Sequence, residues 1–345
     1  MKKVKRSVKI VIAVALVIVL LLSSGVIFYL SKLNLIKFSN GKFTWSGSPD
    51  MSDSETLDEE SRMNEAIADL EEKDAIDATG EIYKDKRILN ILLIGTDENT
   101  EDFSENARGD SCMIMSLGKK DGSLKLASLE RGMGVPILDG KYKGQYDWLT
   151  HTFRYGGADL MMREVRECFK VDVERYIRVN FTTFKKGIDS VGGIDINLTA
   201  AEVSYVNWYV GQKNKYSAGW NHLDGQGALG YARCRKIDSD WHRIERQRNV
   251  IQAVVTKTKD LSIGELNTLL NNVLPLVQTN LTRLEITELL LSAPKYRGVQ
   301  IKQMTVPISG SYGGMRGLGG RSLFSVDFDT NAKALREFIY GVTTE

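Results

Sequence analysis

The chain has 345 residues, 42% of them hydrophobic and 26% charged, which allows a sizeable core and is ordinary for globular protein. Its net charge of +2 is segregated: Lys2, Lys3, Lys5, Arg6 and Lys9 precede the first apolar run, and setting these five aside leaves 41 basic against 44 acidic residues. A body that is slightly acidic has no general electrostatic hold on nucleic acid, so an anion site has to be local.

Residues 10–30, IVIAVALVIVLLLSSGVIFYL, carry no charge and are long enough to span a bilayer as a helix. The basic residues before them keep that end in the cytoplasm. The run continues past Ser23, Ser24 and Gly25 into Val26, Ile27 and Phe28, which favours an uncleaved signal anchor over a cleaved signal peptide. The expected layout is a cytoplasmic basic tail at 1–9, a transmembrane signal anchor at 10–30, and everything later outside a cell membrane crossed once. Residues 31–86 read as an extracytoplasmic linker. Between Asp50 and Asp77 it has twelve acidic and two basic residues, the composition of a mobile acidic stalk.

The globular domain is expected over 87–345. ILNILLIG (88–95) has the continuous apolar character of a buried strand and ends at Gly95-Thr96-Asp97. Strands at 112–117 and 124–129 follow, joined by an Asp121-Gly122 turn. Asp97, Asp110, Arg108 and Arg131 thus arrive at strand ends or in the loops beside them, where open α/β sheets bind ligands. Helical spacing predicts a helix over 150–169, broken near Gly156-Gly157. A strand at 176–181, a helix at 182–190 and a strand at 194–198 come next. Further helices are expected near 240–259, 263–274 and 283–292, a strand at 299–306, a flexible glycine-rich loop at 310–320, an edge strand at 324–328 and a closing helix at 331–340. This alternation predicts one α/β domain with a central mixed sheet flanked by helices. Cys112, Cys168 and Cys234 are odd in number and lack metal spacing, so buried hydrophobes are the expectation.

The densest functional signal lies in ALGYARCRKIDSDWHRIERQ, residues 228–247. Arg233, Arg235, Arg243 and Arg246 fall within fourteen residues, with Asp240 and Gln247 among them. Tyr231, Arg233 and Arg235 alternate as on an extended strand, which would send both forks to one side. Ser239 or Asp240 caps a following helix, on which Arg243 and Gln247 share a face. Guanidinium forks this close suit a phosphate or pyrophosphate better than one another.

These motifs resemble, over about residues 88–260, those of the LytR-CpsA-Psr family of bacterial cell-envelope proteins. ARGD stands for R-[SA]-D-[TA], SLERGMGV for S-I-P-R-D-x-x-V, THTFRYGG for N-x-A-x-x-x-G-G and VGGIDINL for GG-[VI]-x-V. LDGQGALGYARCRKIDSDWHRIERQ matches L-x-G-x-x-A-L-x-Y-x-R-x-R with D-x-x-R-x-x-R-Q. The resemblance implies a phosphotransferase that moves a glycopolymer from a polyprenyl-pyrophosphate carrier to a peptidoglycan sugar hydroxyl and releases polyprenyl phosphate. It implies that Asp97 and Asp110 share one Mg²⁺, with Mn²⁺ as an alternative. Arg108, Arg131 and Arg243 would serve the reaction; Arg233, Arg235, Arg246, Gln247 and Asp240 would hold the substrate. Gly132 departs from the family's Asp, Trp148 from a basic residue and Thr150 from its Asn. Gly132 and Trp148 favour an alternative, a non-catalytic polyprenyl-phosphate binder. A second alternative, a transcriptional attenuator, conflicts with nine cytoplasmic residues, too few for a DNA-reading element. Protease added to wall-stripped cells is expected to degrade the domain and spare the anchor; full protection of the domain would refute that topology.

Overall fold

A computed structural model of the protein describes residues 31–38, 54–100, 103–104 and 107–342. The expected basic tail and signal anchor lie outside these residues, and among the described residues no helix is long and apolar enough to cross a membrane.

The described chain opens with a two-residue strand, β1 (Lys37–Phe38), and a helix, α1 (Ser54–Ala68). Three antiparallel strands follow: β2 (Ile88–Thr96), β3 (Ser111–Gly118) and β4 (Leu124–Leu129). A ribbon of β5 (Gly134–Pro136) and β6 (Tyr146–Trp148) leads into α2 (Leu149–Phe169). Next come β7 (Arg175–Asn180), α3 (Phe181–Ser190), β8 (Ile194–Leu198), α4 (Ala200–Tyr209) and β9 (Gly219–Leu223), with β8 and β9 paired. Three helices succeed them: α5 (Gly225–Arg233), α6 (Asp240–Thr258) and α7 (Ile263–Val273). The chain ends through β10 (Gln278–Thr279), α8 (Arg283–Ser292), β11 (Lys302–Val306), a ribbon of β12 (Tyr312–Arg316) with β13 (Ser322–Val326), and α9 (Phe328–Tyr340).

The main sheet has seven strands in the order β1-β10-β7-β2-β3-β4-β11. It is mixed: β7 and β2 run parallel, as do β4 and β11, around the antiparallel centre. Both faces are covered, which is why ILNILLIG is apolar at every position but Asn90 rather than alternating. Leu92 and Ile94 meet Phe153, Met161 and Phe169 of α2 and Leu335 of α9. Ile91 turns to the other face, with Met113, Leu126 and Ile286 of α8. A third cluster, including Ile194, Leu223, Tyr231 and Val250, ties the β8–β9 ribbon to α5 and α6. The break expected in α2 occurs at Gly156 and Gly157, the latter at φ 65°, a left-handed backbone that glycine adopts without strain.

Four expectations are corrected. Residues 228–233 are not extended: Gly225–Arg233 is a helix capped by Asp224, which accepts from the Gly227 N–H. Ala228, Leu229, Tyr231 and Ala232 bury its inner face, so packing overrides a two-residue alternation too short to define a strand. The acidic segment is not a free stalk. Met63 and Ile67, one helical turn apart, enter the same core cluster as Leu323 and Phe324. Lys73 N–H then donates to Gly314 C=O and Gly314 N–H to Glu71 C=O, at 2.9 Å each. That contact explains Gly313 and Gly314, which lie in strand β12 rather than in a flexible loop. A Cβ at Gly313 would stand 2.7 Å from Glu71 O, so only a bare backbone admits the approaching chain. Finally, the last strand spans 322–326 and pairs with β12 instead of edging the main sheet.

Ile67→Ala is therefore expected to lower unfolding free energy by about 2–4 kcal/mol in urea titrations, the cost of a core truncation. An unchanged midpoint would return the segment to the status of a spacer.

Candidate functional site

A cavity of about 250 Å³ opens between the β2–β7 pair and the helices packed over it. Leu93, Met113, Ile177 and Val179 form its sheet side, Phe181 and Phe184 its α3 side, and Leu229 and Ile251 contribute from α5 and α6. The wall is almost wholly apolar. Its polar lining consists of Thr96, Asp110, Ser111, Asn180, Arg233, Arg235, Arg243 and Gln247, gathered near the ends of β2 and β7, the start of β3 and the first turns of α6. An apolar slot with a cationic mouth is a site for an amphipathic anion.

Each arginine at the mouth is placed by a different device. Arg233 ends α5, and its guanidinium lies 4.6 Å from the Phe181 ring centroid while Nη1 donates to the Tyr209 hydroxyl at 3.3 Å. Arg235 stands in the turn between α5 and α6. Arg243 lies in the first turn of α6; its Nη2 donates to Asp240 Oδ2 at 2.9 Å, and its buried Nε has no hydrogen-bond partner among the described residues. Gln247, one turn later, accepts from Ser111 Oγ at 3.0 Å and ties α6 to β3. An orphaned charged donor beside the slot is costly unless a ligand supplies the acceptor.

Asp97 follows β2 and receives the Arg108 backbone N–H at 3.1 Å and Nε at 2.9 Å; Arg108 Nη2 lies 3.6 Å from Asp110 Oδ2. The two aspartates thus meet across one guanidinium. Among the described residues no group of three or more His, Cys, Asp or Glu could hold a metal ion. Two carboxylates still fit a hard cation such as Mg²⁺ that takes its other ligands from phosphate oxygens and water.

Arg131 ends up beside Asp240, with Nε 3.4 Å from Oδ2, so Asp240 serves both Arg131 and Arg243. Arg246 is the exception among the expected substrate ligands. It is buried, and its donors go to Glu202 at 2.7 Å, the Cys234 carbonyl at 2.7 Å and Asp238 at 3.0 Å. It is a brace between α4, the 234–239 turn and α6. The reason is register: three residues after Arg243, its side chain reaches the capping Glu202 rather than the slot. All three cysteines are buried and unpaired, and burial raises their thiols well above the usual range.

Two parts of the site escaped the sequence reading. The apolar wall is assembled from β2, β3, β7, α3, α5 and α6, so no single stretch announces it. Glu130, 0% exposed beside Arg131 and Asp240, was signalled only as a lone acid closing an apolar strand. Burial first, then the Asp240 charge, push its carboxyl up to about 8 against the pull of Arg243 and Arg131. Arg246→Met is expected to cost about 3 kcal/mol of stability by leaving the buried Glu202 carboxylate without its ion pair. Unchanged chemical denaturation would show that Arg246 is not a brace.

With this geometry in place, the likenesses to known proteins are informative. The model of the LytR_cpsA_psr family matches residues 52–336. The Bacillus mycoides polyisoprenyl-teichoic acid–peptidoglycan teichoic acid transferase TagU is 34% identical over 208 residues, 59% of this chain and 64% of that protein. The TagU of Oceanobacillus iheyensis is 33% identical over 242 residues, 67% of this chain and 69% of that protein. The first alignment takes in just under two thirds of the relative's length. The solved structure of YwtF (TagT) of Bacillus subtilis with bound octaprenyl pyrophosphate superposes with a TM-score of 0.56 at 21% identity, covering 79% of this chain and 98% of that one. At that identity the likeness shows a shared fold.

Proposed function

We propose, because this chain belongs to the LytR-CpsA-Psr family, that it transfers a glycopolymer from a polyprenyl-pyrophosphate carrier to a peptidoglycan sugar hydroxyl. One observation carries the reading: an apolar slot ends at three arginines, one of which, Arg243, keeps a buried Nε without a partner among the described residues. The slot suits a polyprenyl chain and the forks suit the pyrophosphate joined to it. The TagU relatives and the lipid held by YwtF support the same assignment.

In this reading the prenyl chain lies along Leu93, Ile177, Val179 and Phe184, which fixes the depth of the pyrophosphate. Arg233, Arg235 and Arg243 grip its oxygens, and Gln247, held by Ser111, offers its amide. Attack by a sugar hydroxyl on the polymer-bearing phosphorus breaks the bond to the bridging oxygen, and polyprenyl phosphate departs with the electron pair. Charge builds on the bridging and non-bridging oxygens, and pre-placed guanidinium donors stabilise it without reorganising. A Mg²⁺ held by Asp97 and Asp110 would neutralise further charge on the same oxygens. The segment 10–30 would anchor the protein in the membrane that holds the lipid carrier, with the domain outside it.

The test is release of polyprenyl monophosphate from a polyprenyl-pyrophosphoryl saccharide supplied with peptidoglycan fragments and Mg²⁺. Retention of the lipid without release would instead favour the non-catalytic binder. Arg233→Lys or Arg243→Lys keeps the charge but loses the fork, and is expected to reduce affinity or turnover at least about tenfold, 1.4 kcal/mol, with thermal stability little changed. Parental behaviour of both variants would dismiss the clamp.

A further inference from the structure

A second cavity, of about 720 Å³, adjoins the slot at Arg235, which lines both. The charge of its lining is opposite. The slot carries Arg233, Arg235 and Arg243 against Asp110 alone. The second cavity carries three arginines against five carboxylates: α1 and the residue directly after it supply Arg62, Glu65 and Asp69, and the turn after β4 supplies Glu130 and Arg131. The turn before α6 and its first residue add Arg235, Asp238 and Asp240. A polyphosphate is drawn to the first and repelled by the second, whereas an uncharged, hydroxylated ring suits the second. One wall is aromatic: Trp241 lies 5.7 Å from Tyr312 and 6.1 Å from Phe324, centroid to centroid. A sugar ring can lay its C–H face on such a surface.

Two acidic side chains in this lining are unusual. Glu130 Oε1 accepts from Gly132 N–H at 3.4 Å, but buried Oε2 has no partner among the described residues. Asp240 gives Oδ2 to Arg243 and Arg131, while buried Oδ1 likewise has none among them. The two carboxyls lie within hydrogen-bonding reach of each other, so one shared proton satisfies both orphaned oxygens. A Cβ at 132 would stand 2.8 Å from Met63 Sδ and 3.2 Å from the Phe324 ring, so a side chain there would have to displace both. Helix α1 fills that space, and the turn after β4 brings its carboxyl from position 130 instead.

We propose that the second cavity is the acceptor site, seating a peptidoglycan-type sugar against Trp241 and Tyr312, and that the Glu130–Asp240 pair takes the proton of the attacking hydroxyl. The assignment rests on the transferase reading above. The sugar O–H gives its proton to the doubly ionised pair, entering at Asp240, the member open to the cavity, and coming to rest on Glu130. The freed oxygen lone pair forms the new bond to phosphorus as the bond to the bridging oxygen breaks. Polyprenyl phosphate carries that electron pair away, and Glu130 returns the proton to water. Glu130 acts through Asp240 and is a positioning residue, the holder of the proton.

Burial and Asp240 raise Glu130, while Arg131 and Arg243 hold Asp240 below its ordinary range despite burial. The sign follows: the reactive, ionised pair is scarce below about 8 and dominant above it, so turnover rises with pH through that region. The experiment follows release of polyprenyl monophosphate between about pH 6 and pH 10 with a peptidoglycan glycan fragment as acceptor. The parent is expected to show the rise. Glu130→Gln is expected to lose about a hundredfold in turnover and the rise itself, with polyprenyl-pyrophosphate binding retained. Glu130→Asp is expected to restore part of both. Trp241→Ala is expected to raise the KM for the acceptor about tenfold and spare donor binding. A Glu130→Gln enzyme with the parental rate and pH profile, or a Trp241→Ala enzyme with the parental acceptor KM, would overturn the proposal. A parent that binds the lipid pyrophosphate yet releases no monophosphate defeats the transferase reading itself, a different result from either variant behaving like the parent.

Discussion

The arrangement depends on keeping permanently charged guanidinium groups close together in a largely buried place. Arginine cannot shed its proton, so mutual repulsion among Arg131, Arg235 and Arg243 has to be met by fixed carboxylates or by a ligand. Asp240 does much of this from the first residue of α6, where the helix end also favours its negative charge. It serves both Arg131 and Arg243, and Arg243 Nε keeps no partner among the described residues. The turn that carries Arg235 is pinned from behind by Arg246, bonded to Glu202, Asp238 and the Cys234 carbonyl. Glu202 in turn closes the capping box with Thr199 that starts α4. The cradle is thus held in shape by Arg246, a bonded brace directly behind Arg243, whose buried Nε has no partner among the described residues.

That contrast shows what the sequence could and could not convey. Arg243 and Arg246 look alike in a string of charged residues, yet one faces the slot and the other braces it. Only the position of Glu202, forty-four residues earlier, separates them. The strands at 88–96, 111–118 and 124–129 were legible because a sheet buried on both faces forces continuous apolar runs. Helix α6 was legible from its capping residues and spacing. Helix α5 was not, since Tyr231, Arg233 and Arg235 imitate a two-residue period while Ala228 and Ala232 carry the helical one. The acidic segment misled through its composition: two buried side chains, Met63 and Ile67, fix a helix that is otherwise mostly polar and acidic. Glycines 313 and 314 misled for the complementary reason, since they mark close approach of another chain segment rather than freedom.

The place of the site follows from one feature of the topology. Strands β2 and β7 are parallel neighbours, so their carboxyl ends, Thr96 and Asn180, reach the same edge of the sheet. Asp97 leaves from the first and α3 from the second, with Asn180 capping α3 by accepting from Thr183 N–H. Starting the helix directly at that edge lays Phe181 and Phe184 over Ile177 and Val179, and this closes the apolar slot. The same Phe181 ring supports the Arg233 guanidinium. A hydrophobic tail site and a cationic head site therefore share one aromatic residue at their junction. The depth to which an apolar chain enters then sets which oxygens meet the arginines, so binding of the inert tail and alignment of the reacting head are one event rather than two.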